Sequence, residues 1–209
     1  MNYFSYVIEH DYGLAPNPFG GYCTLAVCKP DIRRNKYLEI GDWIIGTGSK
    51  KINRLNHFIY AMKVQEKLTF NQYWCDSRFL PKRPKLNGSL VELYGDNFYH
   101  TDEKSGKWIQ EPSAHSKVNK EKHIRTDTKA DVVLISQDFF YLGDNSIIIP
   151  EQYSIFCKKG PGMKYKDLSQ LGESFINWVK DNAYRKGING DPVNWIEHKF
   201  DIHQTSLQF

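Results

Sequence analysis

Hydrophobic positions along this chain occur mainly in short runs separated by glycine, proline and polar residues. The runs are rich in aromatic and β-branched residues, and some alternate between apolar and polar positions, which is typical of β-strands. We therefore predict strands over residues 3–8, 22–28, 43–45, 57–64, 131–136, 139–142 and 146–149. Residues 11–21, which hold three glycines and two prolines, are predicted to be irregular.

The clearest helical pattern lies near the C-terminus. Over residues 168–182 the apolar side chains recur with the spacing of one helix face, as in an amphipathic helix. We predict a helix within 165–187, with Asp167 and Ser169 as its capping residues and Gly187 as its end.

Strands outnumber helices, and the one further helix expected is a short one that Thr69 caps and that runs through Trp74. This pattern predicts an α+β fold, with a mixed or antiparallel curved sheet and few helices. Neither a linker nor a long internal repeat divides the chain, so one domain over residues 1–209 is expected. The polar stretch 94–125 is expected to form long loops, and residues 190–209 a tail.

Composition excludes several classes of protein. Thirty aromatic residues and 40% hydrophobic content are incompatible with a disordered or fibrous chain. No apolar run is long enough for a spanning helix, and the N-terminal residues, with Glu9 and Asp11, lack a basic leader. Four scattered cysteines are too few for a disulfide framework in a chain of 209 residues. We therefore expect a reduced, cytoplasmic protein with no membrane partner.

Positive charge is concentrated in a small part of the chain, although the net charge is only +4. The segments that each carry four Lys or Arg are 29–36, 78–85, 117–125 and 158–166. They form either four solvated loops on different faces or one basic surface that attracts a polyanion through counterion release. In the second interpretation Lys29, Arg33 and Lys82 bind phosphate, and the partner is DNA or a nucleotide.

Cys23 and Cys28 raise the question of a metal site, with His115 and His123 as further ligands. If residues 22–28 form a strand, a separation of five residues puts the two thiols on opposite faces. Zinc-binding cysteines usually lie closer together, in a tight turn. We therefore predict no metal and no cofactor, while a nucleophilic Cys23 beside one of these histidines stays open as an alternative.

A ligand pocket is predicted where polar residues and aromatic rings share the loops. Residues 46–49, Gly-Thr-Gly-Ser, suit either a tight turn or a cradle for a phosphate. Flat rings beside amide and hydroxyl groups suit a nucleobase, whose face stacks and whose edge needs donors and acceptors. The predicted ligand-binding residues are Asn17, Thr47, Ser49, Arg78, Asn97, Tyr99 and His115. In an enzyme, Asp76 and Asp96 would be the catalytic acid and base.

Longer blocks of the sequence resemble a known family. The blocks are APNPFGGYCTLAVCKPDIR at 15–33, GDWIIGTGS at 41–49, NQYWCDSRFLPKRPKLNGSL at 71–90, YGDNFYH at 94–100 and VLISQDFFYLG at 133–143. In this order they are similar to the nucleotide modification associated domain 2 family, and the resemblance covers about residues 3–150. The C-terminal helix and the tail fall outside these blocks.

The resemblance implies a bacterial or phage protein whose role is connected with modified DNA bases. The favoured function is binding of a modified or flipped base, with phosphate contacts from the basic loops. The alternatives are an enzyme that hydrolyses a glycosidic bond or modifies a base, and an interaction protein of defence or anti-defence. The GDW motif before a strand is also similar to PUA-like barrels, which implies closure of the curved sheet. The oligomeric state is left open.

Overall fold

The main sheet is built on the N-terminal hydrophobic run and the run around Trp43. The computed structural model describes residues 1–115 and 120–196. In it these two runs are adjacent parallel strands, with Tyr3 opposite Trp43. Strands are numbered in chain order. The spatial order of the strands in this sheet is β11 (Met163–Lys164), β1 (Tyr3–Ile8), β3 (Trp43–Gly48), β4 (His57–Lys63), β9 (Phe139–Tyr141) and β12 (Gly187–Ile188). A seventh strand, β10 (Ile147–Ile148), also pairs with β4.

Two smaller sheets complete the β-structure of the described residues. An antiparallel sheet contains, in spatial order, β2 (Cys23–Leu25), β8 (Val133–Ser136) and β5 (Glu66–Leu68), and a hairpin contains β6 (Tyr99–Thr101) and β7 (Trp108–Gln110). The predicted α+β class with a mixed sheet is therefore confirmed. Within 1–115 and 120–196 none of the sheets closes into a barrel, so the closure implied by the GDW motif is not observed.

Helices are few and mostly short, as predicted. They are α1 (Pro30–Arg33), α2 (Phe70–Cys75), α3 (Leu90–Leu93), α4 (Lys120–Asp127) and α5 (Ser169–Asn182). Segments of 3-10 helix lie at Lys50–Ile52, Ser77–Lys82, Gly143–Asn145, Glu151–Phe156 and Val193–Trp195. The predicted cap of α2 is confirmed, because the Thr69 hydroxyl accepts from Gln72 N and the Gln72 side chain accepts from Thr69 N.

Helix α5 is the predicted amphipathic helix, but its ends differ from the prediction. Leu168 occupies the N-cap position, and no side chain caps the helix there. Asp167 lies one residue too early, with a left-handed φ of 65°. The helix ends at Asn182, and Gly187 instead begins β12.

The main sheet separates two apolar layers. On one face Tyr3, Trp43 and Phe58 pack with Phe175 and Val179 of α5. The core of the other face includes Phe4, Tyr6, Ile8 and Ile44 from the main sheet with Leu25 and Leu134 from the three-stranded sheet. Because neighbouring residues of a strand point to opposite faces, β1 and β3 contribute to both layers. Burial on both faces explains why β3 is buried along its whole length.

Residues 46–49 do not form the predicted turn. Gly46, Thr47 and Gly48 belong to β3, and the glycines are required by packing. A Cβ atom on Gly46 would lie 2.4 Å from the Tyr60 ring, and one on Gly48 would lie 2.2 Å from the Arg54 carbonyl oxygen. The two glycines therefore allow neighbouring protein segments to pack closely against β3, and they do not form a loop around a phosphate.

Two further predictions about local structure are wrong in part. The strand expected over 22–28 ends at Leu25, and the stretch 94–125 contains the β6–β7 hairpin and part of α4 rather than loops alone. Parts of the basic segment 117–125 and of the tail 190–209 lie outside the described residues. Among the helices of the described chain, none has the length and apolar character needed to cross a membrane.

Candidate functional site

The candidate site begins where the chain leaves β2 and reverses direction. Cys28 and Lys29 have consecutive left-handed φ values of 55° and 42°, directly before Pro30 starts α1. Positive φ is uncommon for residues with a side chain and is maintained only where surrounding contacts require it. Here the Cys28 N–H donates to Asp127 Oδ1 at 2.8 Å, and the Cys28 carbonyl accepts from Arg33 Nε at 2.9 Å.

The buried Arg33 side chain links the segments of the site through hydrogen bonds. It is 2% exposed, and besides the Cys28 carbonyl its guanidinium donates to the carbonyl oxygens of Asp127, Ala130 and Val132. Burial lowers the pKa of Arg33 to about 10, so the group remains charged at neutral pH. The sequence predicted a phosphate contact for Arg33, but its side chain lies inside the protein and links the end of β2 to the end of α4.

Asp127 holds the polar groups of the site together. Its Oδ2 atom accepts from the Tyr99 hydroxyl at 3.1 Å and lies 3.2 Å from His115 Nε2. Burial raises the pKa of Tyr99, and the nearby Asp127 carboxylate raises it further, so Tyr99 is a hydroxyl donor. Burial and the same carboxylate raise the pKa of the Cys28 thiol to about 12, although Lys29 and Arg33 oppose the effect.

A pocket of about 590 Å³ opens beside these groups. Four separate stretches of the chain line it: Ile8, Glu9, His10, Tyr12, Leu14 and Ala15 after β1, Cys28 and Lys29 after β2, Tyr94 after α3, and Ala114 and His115 after β7. The rings of Tyr12 and Tyr94 are stacked, with centroids 5.1 Å apart and planes at 17°, and His10 stacks on Tyr12 at 6.1 Å.

A second pocket, of about 330 Å³, adjoins the first. The two share Cys28, Lys29 and His115, and the second adds Lys122, His123 and Asp127, among others. Lys29 therefore faces both pockets. Its Nζ atom donates to the Val7 carbonyl at 3.2 Å and lies 4.8 Å from the centre of the Tyr6 ring, while burial lowers its pKa.

Three of the predicted site residues meet elsewhere, in a buried polar network. Lys82 Nζ donates to Asn17 Oδ1 at 2.6 Å and to Thr24 Oγ1 at 3.1 Å, and the Thr24 hydroxyl donates to Asp96 Oδ2 at 2.6 Å. The Tyr73 hydroxyl donates to the other Asp96 oxygen. Lys82 is 3% exposed and Asp96 is fully buried. Burial lowers the pKa of Lys82 to about 8 and raises the pKa of Asp96.

The remaining predicted residues are dispersed. Thr47 and Ser49 are buried in and after β3, and the Asn97 amide donates to the carbonyls of Tyr73 and Phe79. At the surface Arg78 pairs with both Glu66 and Asp76. Neither Asp76 nor Asp96 lines the 590 Å³ pocket, which has only His115 and Lys29 of the predicted set in its lining, while Tyr99 contacts Asp127. The catalytic and ligand-binding roles given to the dispersed residues stay predictions.

Sequence reasoning missed Tyr12, Tyr94 and Asp127 as members of this site, and it considered Cys28 beside His115 only for a metal site that it rejected. The thiol near His115 is Cys28, whereas Cys23 is buried with its Sγ 3.9 Å from Met62 Sδ. The sequence could have indicated only one pair of neighbours in this region. His123 and Asp127 are four residues apart, so a helix puts them on the same face. The other members come from distant segments that no local pattern connects.

Together these features define an α+β protein with an aromatic pocket that a thiol and an imidazole line, and with a carboxylate in contact with that imidazole. The chain belongs to the nucleotide modification associated domain 2 family, whose model matches residues 1–199. The match extends beyond the blocks seen in the sequence and includes α5. Membership gives the chain a role associated with nucleotide modification. No curated protein and no solved structure matches the chain significantly.

Proposed function

We propose that the 590 Å³ pocket binds a modified or flipped base, and that DNA carries this base. The observation that supports the proposal is the row of stacked rings formed by His10, Tyr12 and Tyr94 along the pocket. A base presents a flat face to such rings, and stacking on an aromatic side chain contributes about 1–3 kcal/mol per base. The family's association with nucleotide modification agrees with this ligand.

The size and polarity of the pocket fit a nucleotide. Pockets for small molecules usually measure about 300–1,000 Å³, and this one lies in the middle of that range. Glu9, Lys29 and His115 bring charged or polar groups to its edge. A base needs such donors and acceptors along its edge, and the Lys29 ammonium suits either a carbonyl oxygen of the base or a phosphate.

Phosphate contacts would come from exposed basic side chains near the pocket. Lys122 and Arg125 are exposed on α4, and Lys122 lines the adjoining pocket. These side chains replace the buried Arg33 and Lys82 as the groups available to a DNA backbone, and such contacts position a nucleic acid without reading its sequence.

The test is binding of labelled single-stranded oligonucleotides that carry unmodified cytosine, 5-methylcytosine or 5-hydroxymethylcytosine, measured by fluorescence anisotropy. Tyr94→Ala removes a ring at one end of the row, and Tyr12→Ala removes the ring on which Tyr94 stacks, so each should weaken binding roughly 5- to 150-fold. Tyr12→Phe keeps the ring and should retain most of the affinity. A preference among the three oligonucleotides is expected in the wild type and should shrink in the alanine variants.

Tyr184→Ala is the matched control, because Tyr184 is 92% exposed and lines a different pocket of about 500 Å³ beside Asn189. If Tyr184→Ala weakens binding as much as Tyr12→Ala, the base does not bind in the aromatic pocket. If Tyr12→Ala and Tyr94→Ala both leave the affinity unchanged, the base likewise does not bind in the aromatic pocket.

A second candidate function is catalysis on the bound base. The observation that favours it is the contact of Asp127 with His115, which lines the pocket, since a histidine oriented by a carboxylate can act as a general base. Mass spectrometry of nucleosides recovered from modified DNA after incubation would detect such a reaction. Conversion by wild type but not by His115→Asn favours an enzyme, and unchanged nucleosides favour a reader.

A further inference from the structure

We propose that Cys28, His115 and Asp127 bind a divalent metal ion, zinc, whose open coordination position faces the base-binding pocket. The ligand atoms of these three residues all lie within 4.8 Å of one another. A thiolate, an imidazole and a carboxylate are the three ligand types that zinc takes from proteins, and the thiolate disfavours calcium and magnesium. It replaces the sequence-based prediction of no metal, which assumed a strand over residues 22–28, whereas the strand ends at Leu25. The proposal concerns this ion site alone and does not depend on base binding.

The separation of the nitrogen and oxygen ligands fits a tetrahedral ion. Zinc–nitrogen and zinc–oxygen bonds of about 2.0–2.2 Å put two such ligands about 3.3 Å apart. His115 Nε2 and Asp127 Oδ2 are 3.2 Å apart. The Cys28 Sγ atom lies within 4.8 Å of both atoms, and its position depends on a single side-chain torsion.

The three residues are fixed by contacts of the kind that support metal ligands. Arg33 donates to the carbonyl oxygens of both Cys28 and Asp127, and so holds two ligand-bearing segments together. The Tyr99 hydroxyl donates to the Asp127 carboxylate. Such outer contacts orient the ligands, and their loss typically lowers metal affinity about 10- to 100-fold.

A second histidine brings another polar atom close to the three ligands. His123 Nδ1 is buried and has no hydrogen-bond partner among the described residues. Its ring lies 4.8 Å from the His115 ring, and His123 and Asp127 both line the second pocket. Buried polar atoms are nearly always hydrogen-bonded, often to ordered water. A water in the fourth position of the ion would provide the partner for His123.

Three protein ligands with an open position are typical of catalytic rather than structural zinc sites. Cys28 and His115 line both pockets, so an ion between them would adjoin the larger one. If both proposals hold, the bound base lies next to a Lewis acid, which would favour an enzyme that uses the ion in place of His115 as a general base.

The test uses the full chain without a histidine tag, kept reduced, stripped with a chelator and titrated with zinc. We expect one ion per chain by elemental analysis and a rise in melting temperature on zinc addition, because the ion binds the folded chain. Cobalt in place of zinc should give a thiolate charge-transfer band. Cys28→Ser should lose this band, whereas Cys75→Ser, which changes an exposed thiol, should keep it.

The variant His123→Asn distinguishes the three proposed ligands from a neighbour that does not bind the ion directly. We expect it to retain one zinc per chain with an affinity lowered about 10- to 100-fold, whereas Asp127→Asn and His115→Ala lose stoichiometric binding. Because Asp127→Asn removes an anchor of the Cys28 turn, the wild-type cobalt spectrum remains decisive if that variant fails to fold. Folded wild type without stoichiometric zinc, or a Cys28→Ser variant that keeps the charge-transfer band, overturns the proposal.

Discussion

At the scale of single residues, some basic side chains are buried and others are exposed, although all lie in similar basic segments of the sequence. Arg33 and Lys82 lie in basic segments, yet each is buried with its N–H groups donated to protein oxygens. A buried cation needs such partners because transfer from water is costly. Arg33 therefore holds the Cys28 turn, and Lys82 holds Asn17 and Thr24 beside Asp96, in place of the phosphate contacts predicted for them.

Lys82 makes stability depend on pH in a direction that can be worked out. Its pKa is about 8 in the folded chain and 10.5 unperturbed. Between these values the unfolded chain binds more protons, so the free energy of unfolding rises with pH. Below pH 8 both states are protonated and the contribution is constant.

We expect wild type to gain stability relative to Lys82→Met, by on the order of 2 kcal/mol, between pH 8 and 10. Urea unfolding at several pH values measures the difference. Lys85→Met, which changes an exposed lysine three residues further on, should show no such trend. A difference between wild type and Lys82→Met that stays flat over this range would show that the buried amine is charged throughout.

At the scale of elements, α5 is positioned by one close contact with the main sheet. Gly172 is buried, and a Cβ atom there would lie 2.1–2.4 Å from three ring atoms of Tyr3. The glycine therefore allows α5 to approach β1, at a cost in helix propensity of about 1 kcal/mol relative to alanine.

Gly172→Ala should destabilise the chain by about 1–3 kcal/mol, because overpacking against the buried Tyr3 ring exceeds the gain in helix propensity. Chemical denaturation measures the change. Asn177→Ala lies on the exposed side of the same helix and should change stability by less than about 0.5 kcal/mol. A stabilised Gly172→Ala variant would mean that α5 shifts along the sheet without loss.

At the scale of the whole molecule, exposed positive charge lies on more than one side, and the proposed DNA partner would contact one of them. The proposed site lies where segments after β1, β2, α3 and β7 meet α4, whereas α5 covers the opposite face of the main sheet. Lys122 and Arg125 are exposed on α4, and Lys166 and Lys180 are exposed before and on α5.

Affinity for duplex DNA should fall with salt, and Lys122→Ala with Arg125→Ala should flatten the slope of log K against log salt by about two units. Lys166→Ala with Lys180→Ala removes the same charge from the other side and should leave the slope nearly unchanged. Equal effects of the two double variants would indicate attraction by net charge alone, and affinity that is independent of salt would argue against a DNA partner.

Local pattern was enough to predict the α+β class, most strands, the Thr69 cap and α5, because alternation and helical spacing depend only on neighbours along the chain. The long blocks were also enough to identify the family. These features require no knowledge of which segments meet.

The site depended on the tertiary structure, because its residues come from segments near positions 12, 28, 94, 115 and 127 that meet only when the sheets pack. The Gly-Thr-Gly stretch suited a loop by composition, and only pairing with β1 and β4 makes it a buried strand. Likewise, whether a lysine or arginine faces solvent or an interior carbonyl is decided by contacts distant in sequence. Burial and long-range hydrogen bonds are properties of the packed chain, and no local window of residues contains them.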